Sequence, residues 1–222
     1  MKLTKIIPKK YIPPLAFVLI WNSIVYYGSR AIMANAPHIS MELPIDRAIP
    51  FIPWTIVIYV GCYAFWVINY ILACRYDSDT AWVTLSTDFL AKAVCFVFFI
   101  LLPTTIARPE VTGNGFWELC VRFIYFKDSP DNLFPSIHCL CSWVSFIAVR
   151  SNKEIPLWYR VFSLAFALAV CVVTLTTKQH VIVDTVAGLV LAEGCCQFTR
   201  VTGFYKKYGK VFAAFTKTVE KV

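Results

Sequence analysis

Three short stretches of this chain carry side chains suited to proton and phosphoryl chemistry: Arg108-Pro109, Pro135-Ser136-Ile137-His138 and His180-Val181-Ile182-Val183-Asp184. Each stands at the end of an apolar run, where ionisable groups are costly enough to mark a functional site by default. His180 and Asp184 are four residues apart, the spacing of one helix face, so the carboxylate is expected to orient the imidazole. An unprotonated imidazole nitrogen is a competent nucleophile at neutral pH. A carboxylate on its other nitrogen would stabilise a charged adduct, as in triad chemistry. His138 suits a general acid that later becomes a base. Arg108 and Lys178 suit binding of phosphate oxygens. Ser136, in the first turn of a helix opened by Pro135, would lie where free backbone N–H groups favour an anion. The catalytic set is thus His180, His138 and Asp184, with Arg108, Lys178 and Ser136 on the phosphate, and the scheme requires no metal or other cofactor. The two histidines and the aspartate could instead hold zinc. His180 with Asp184 alone could be a structural pair. Three stretches in order, at one membrane face, favour catalysis over both.

The elements that must position these residues are membrane spans. Apolar residues make up 59% of the chain and charged residues 15%, with mean hydropathy +0.65. Soluble domains have roughly 45–50% and about 25%. Apolar runs near 13–32, 51–73, 83–106, 136–150, 158–177 and 180–199 predict six spans, and crossing the hydrocarbon core takes about 20 residues. The fourth run is short, and an abrupt turn joins the last two. Together they account for almost all of residues 1–222 as a single all-α membrane domain, with the motifs inside 101–188. The first run follows Lys2, Lys5, Lys9 and Lys10, but no small-residue cleavage site follows it before Arg30, so it reads as a retained span rather than a signal peptide. Between spans three and four, Phe116, Leu119, Cys120, Phe123 and Ile124 repeat at helical spacing with Glu118 and Arg122 opposite, which predicts a helix lying on the bilayer.

Charge sets the expected topology, because Lys and Arg near span ends favour the cytoplasm. With the N-terminus inside, the inner side holds its four lysines, Arg75, Arg150, Lys153, Arg160, Arg200, Lys206, Lys207, Lys210, Lys217 and Lys221. The outer side holds only Arg30, Arg47, Arg108, Arg122, Lys127 and Lys178. Both termini are therefore expected in the cytoplasm. His138, His180 and Arg108 then meet at the outer face. The formal charge of +8 follows this pattern and argues for a bilayer rather than nucleic acid as the partner. The oligomeric state is not legible.

In these residues the chain resembles the type 2 phosphatidic acid phosphatase superfamily, whose pattern reads KxxxxxxRP, PSGH and SRxxxxxHxxxD. Arg108-Pro109 matches the end of the first part. Pro135-Ser136-Ile137-His138 matches the second with Ile for Gly, and His180 and Asp184 match the end of the third. The resemblance implies six spans and a phosphohistidine mechanism acting on a phosphorylated lipid, a phosphomonoester or diphosphate. Leu101 and Val173-Thr174 stand where that family places Lys and Ser-Arg, so two phosphate-binding cations are missing, and Lys178 is the candidate substitute for one. Loss of those cations also resembles the inositol phosphorylceramide and sphingomyelin synthase branch, which transfers head groups between lipids. Hydrolysis is thus the first expectation and phosphotransfer to an alcohol the alternative. The expected setting is a bacterial cell membrane, with the active site facing outside.

The remaining polar residues read as structural. Asp131 and Asn132 are expected to cap the fourth helix. Asp88 and Lys92, four apart in the third span, form a snorkelling ion pair, and Glu193 faces the bundle. His38 belongs to a solvated loop. Most of the nine cysteines fall in apolar runs, where cysteine acts as a small hydrophobe, and Cys139-Leu140-Cys141 lacks the gap of a zinc pair. A transporter would need broken spans or intramembrane charges reaching both sides, and neither is legible.

Overall fold

The computed structural model describes residues 7–219, with side chains to residue 214. It is all-helical, about 75% helix with no strand among the described residues. Five helices are long and apolar enough to cross a membrane: α1 (Lys9–Met33), α3 (Pro53–Tyr76), α4 (Ser78–Leu101), α7 (Leu157–Thr176) and α8 (Ile182–Thr202). A short helix α2 (Pro44–Ala48) precedes α3, and α5 (Phe116–Lys127) precedes the shorter apolar helix α6 (Ile137–Arg150). The last helix, α9 (Phe204–Val219), follows a left-handed Gly203.

Helix α6 is the hub. It packs on α3, α4, α7 and α8, and nine of its fourteen residues are buried. At about 1.5 Å per residue it is roughly 21 Å long, short of the hydrocarbon thickness, and its neighbours cover it. Its serines and cysteines let those neighbours approach, as small residues do between membrane helices.

The third run differs from its expected boundaries for local reasons. Helix α4 begins at Ser78, because the Asp77 carboxylate caps the N–H groups of Asp79 and Thr80, and it ends before Pro103. Arg108 therefore does not close a helix. It lies on an extended segment whose backbone pairs with Ile39. Helix α8 begins two residues later than expected, at Ile182.

The polar tail holds a helix that hydropathy alone does not foretell. α9 turns Phe204, Tyr208 and Phe212 towards α1 and α4 and leaves Lys206, Lys207 and Lys210 exposed. The apolar side chains of α5 divide between two faces. Val121, Cys120, Ile124 and Tyr125 pack against Ile56, Tyr59 and Val173. Phe116, Leu119, Phe123 and Phe126 stay exposed.

Other structural expectations also meet corrections. Asp88 and Lys92 do pair, at 2.9 Å, but both are buried rather than snorkelling, and the Tyr70 hydroxyl donates to Asp88. Ser136, not Asp131 or Asn132, caps α6. Asp131 takes the fork of Arg30, and Asn132, left-handed at φ 54°, donates to Tyr26 O and Ser29 Oγ. All nine cysteines are free thiols.

Candidate active site

Backbone stitching brings the three motifs together. After α4, the Thr104 hydroxyl oxygen accepts the N–H groups of Leu133 and Phe134, and the Thr105 hydroxyl donates to Pro130 O. These bonds lay the Arg108 segment against the loop that starts α6. The N–H of Ser136 donates to Asp184 O at 3.1 Å, joining the second motif to the third. Gly188, one turn after Asp184, permits this approach. A Cβ there would stand 2.7 Å from Ser136 O and 3.3 Å from the Cys139 Cβ.

His180 and Asp184 are close, but not because they share a helix face. His180 precedes α8, in the turn that reverses the chain after α7. That turn is built from the N–H groups of Gln179 and His180, which both donate to Thr174 O, and from a left-handed Lys178 at φ 51°. Asp184 sits in the first turn of α8, where its Oδ2 accepts the N–H of Val181 at 3.1 Å and lies 3.4 Å from His180 Nδ1. The contact comes from the folded-back helix start, with the carboxylate acting as both cap and partner. Asp46 Oδ1 accepts the next amide, Ile182 N–H, at 2.8 Å. Two acids thus occupy the N-terminus of α8, where the helix dipole favours negative charge.

The His138 and His180 rings are neighbours, with centroids 5.8 Å apart and planes tilted by 58°. Tyr59 lies along His138 at 4.5 Å, and the Tyr63 hydroxyl is 3.2 Å from its Nε2. Arg108 rests on the Tyr125 ring at 4.5 Å and donates to Gln179 Oε1 and to the backbone oxygen of Asp128. The Tyr125 hydroxyl donates in turn to Thr177 O at 2.8 Å. Burial pushes that phenol up to about 12, so it remains a donor at neutral pH. No carboxylate pairs with Arg108 among the described residues. Among the described residues, Arg108 Nε and Gln179 Nε2 are buried without a hydrogen-bond partner, while His180 Nδ1 faces Asp184. Unpaired buried donors are costly and uncommon, and these two beside the His180 imidazole form a set that an anion would satisfy.

Two cavities meet at His180. One, of about 560 Å³, is lined by Arg47, Arg108, Lys178, Glu42 and Asp46. The other, of about 350 Å³, reaches His138 through Tyr63, Trp66, Asp128 and Gln179. Lys178 lines the first, but its ammonium donates to Asp46 O at 2.9 Å and Ile49 O at 2.6 Å. It ties the first loop to the site, with one of its three N–H bonds left over. Ser136 lines neither cavity. Its Oγ accepts the N–H of Cys139 at 3.3 Å, and the side chain is fully buried. It caps the α6 start.

Gln179 was not singled out in the sequence, although its place beside His180 in the reversing turn was a signal. Asp46 and Asp128 carried none, since nothing local ties them to the motifs. Thr174, a position where the resembled family carries a cation, is buried against Cys139 at 3.6 Å. Leu101 is 75% exposed on the outside of the bundle. Neither residue lines either cavity. Among the described residues, no group of three or more His, Cys, Asp or Glu side chains is placed to hold a metal ion. No family model, curated protein or solved structure matches this chain.

Proposed function

We propose that the protein is an integral-membrane enzyme that hydrolyses a lipid phosphomonoester or diphosphate through a phosphohistidine, as members of the type 2 phosphatidic acid phosphatase superfamily do. The observation that carries this reading is the convergence of two neighbouring histidines with an arginine that has no carboxylate partner among the described residues. His180 attacks phosphorus and forms the N–P bond, while Asp184 stabilises the imidazolium. His138 protonates the departing oxygen and then takes a proton from the acceptor. Arg108 Nε and Gln179 Nε2 receive the phosphate oxygens. In this reading α6 joins the five long helices as a sixth span, α5 lies on the outer membrane surface with its exposed phenylalanines in lipid, and the termini are cytoplasmic.

Transfer to an alcohol is the second reading. It is favoured by the two cavities that reach His180 from different directions, since donor and acceptor can then approach separately. The test is incubation of purified protein with a panel of lipid phosphates, scoring both free phosphate and new phospholipid. Acid quenching should show an acid-labile, base-stable adduct on His180. Turnover with no such adduct rejects the nucleophile. New phospholipid without phosphate release replaces hydrolysis by transfer.

A further inference from the structure

Arg108 has little cationic help in meeting an anion at His180. Leu101 and Thr174 are uncharged, and Lys178 spends two of its three N–H bonds on Asp46 O and Ile49 O. The cavity of about 560 Å³ has one further cation on its lining, Arg47, on the wall supplied by the first loop. The backbone around Arg47 is fixed from both sides. Asp46 accepts Ile182 N–H with Oδ1 and Leu43 N–H with Oδ2, each at 2.8 Å, and Lys178 ties down the carbonyls of Asp46 and Ile49. The Arg47 side chain has no such ties. It is 75% exposed and meets Glu42 through Nε at 3.5 Å, longer than an ordinary hydrogen bond.

An exposed ion pair with this geometry contributes little, so the guanidinium can exchange Glu42 for a stronger partner at small cost. A phosphate offers one, because the planar fork of arginine matches two phosphate oxygens at once. Glu42 lines the same cavity and holds the fork at its edge when no anion is bound. Asp46 does not compete for Arg47, since both of its oxygens already accept backbone amides.

We propose that Arg47 is a substrate-binding residue that leaves Glu42 and closes over the phosphate at His180. The place of the phosphate rests on the phosphoryl-transfer reading. Arg108 and Gln179 then hold the phosphate from within the bundle and Arg47 covers it from the first loop, while the departing oxygen points into the cleft beside His138. Glu42 sets how readily Arg47 is released. The pair is thus a latch on affinity for the anion and takes no part in proton transfer. Because the anchors of the loop are Asp46 and Lys178, substitution of Arg47 or Glu42 leaves the loop in place.

The test is calorimetric binding of decylphosphonate to the full-length protein in maltoside, with the neutral dimethyl ester of decylphosphonate as the uncharged probe of matched chain. The carbon–phosphorus bond resists hydrolysis, so His180 can stay in place. Arg47→Gln should weaken decylphosphonate about tenfold, as loss of a charge-assisted contact does, and Arg47→Lys should recover part of the loss. Glu42→Gln should tighten binding several-fold by freeing Arg47, and should have no effect once Arg47→Gln is present. None of these changes should alter binding of the neutral ester. Absence of decylphosphonate binding to the parent, a change below twofold on Arg47→Gln, weaker binding on Glu42→Gln, or equal shifts of both probes overturns the proposal. If the binding pattern holds while the parent forms no phosphoenzyme with any lipid phosphate, the phosphohistidine reading fails and the Arg47 assignment stands. If the phosphoenzyme forms and Arg47→Gln leaves KM unchanged, the Arg47 assignment fails alone.

Discussion

Two arginines at opposite ends of the bundle show how one residue type serves different ends. Arg150, the last residue of α6, places its fork on both oxygens of Glu193 at 2.7 and 2.8 Å, and Trp143 and Gln197 donate to the same carboxylate. Its charge is answered within the protein. Arg108 is held by neutral acceptors and a ring face, with Nε unpaired. Its orientation is fixed while its charge is left for something else. Bidentate pairing with a carboxylate makes an arginine a brace, whereas holding it through carbonyls leaves its charge without an answering one.

The largest expected effect falls on the Arg108 side. His180→Ala should lower turnover by about a thousandfold or more, as loss of a covalent nucleophile does, with the thermal midpoint little changed. Turnover within tenfold of the parent in a steady-state assay would remove His180 from the chemistry.

Gly188→Ala comes next, because it separates the motifs without touching a reacting group. Its Cβ would lie 2.7 Å from Ser136 O, and overpacking of this kind costs about 1–3 kcal/mol. Both the thermal midpoint and turnover should fall. An unchanged midpoint would show that α6 and α8 do not pack as closely as described.

The direct contrast is Arg108→Gln against Arg150→Gln. A charge-assisted contact to phosphate contributes about 1.5–3 kcal/mol, so Arg108→Gln should cost roughly ten- to a hundredfold in turnover with a small change in stability. Arg150→Gln should do the reverse, leaving turnover intact and lowering stability by about 1 kcal/mol for a half-exposed pair. Equal effects on both measurements would erase the distinction. Arg added at Thr174 should not rescue Arg108→Gln, since that position is sealed between α6 and α7.

Asp77→Ala should have the smallest effect, about 1 kcal/mol of stability from a lost helix cap. The Thr80 hydroxyl and the backbone amides hold the Asp77 carboxyl below its ordinary range. A carboxyl lowered on folding stabilises the protein above its unfolded pKa, near 4, and that contribution fades as pH falls through the lower, folded value. Unfolding curves of parent and variant should therefore separate at pH 7 and converge in acid. A gap that widens in acid would contradict the cap.

Much of the helical arrangement was legible in the sequence, because apolar runs of span length have few alternatives in a bilayer. Helices are found at all six expected runs. Less legible were the exact helix starts, set by caps such as Asp77 and Asp46, and the helix in the basic tail, whose apolar residues are too sparse for hydropathy and show only as a face.

The sequence by itself determined which groups are available for chemistry: two histidines, an aspartate and an arginine, each at the edge of an apolar run. Only the tertiary structure decided how they are arranged. His180 meets Asp184 across a reversed turn and not along a helix. Ser136 caps α6, Lys178 is bonded to the first loop at the edge of a cavity, and Asp128, far from every motif in sequence, enters the wall of the cleft. The physical reason is that helix periodicity is a local property, whereas a hydrogen-bond partner or an uncompensated charge depends on which segments are packed side by side.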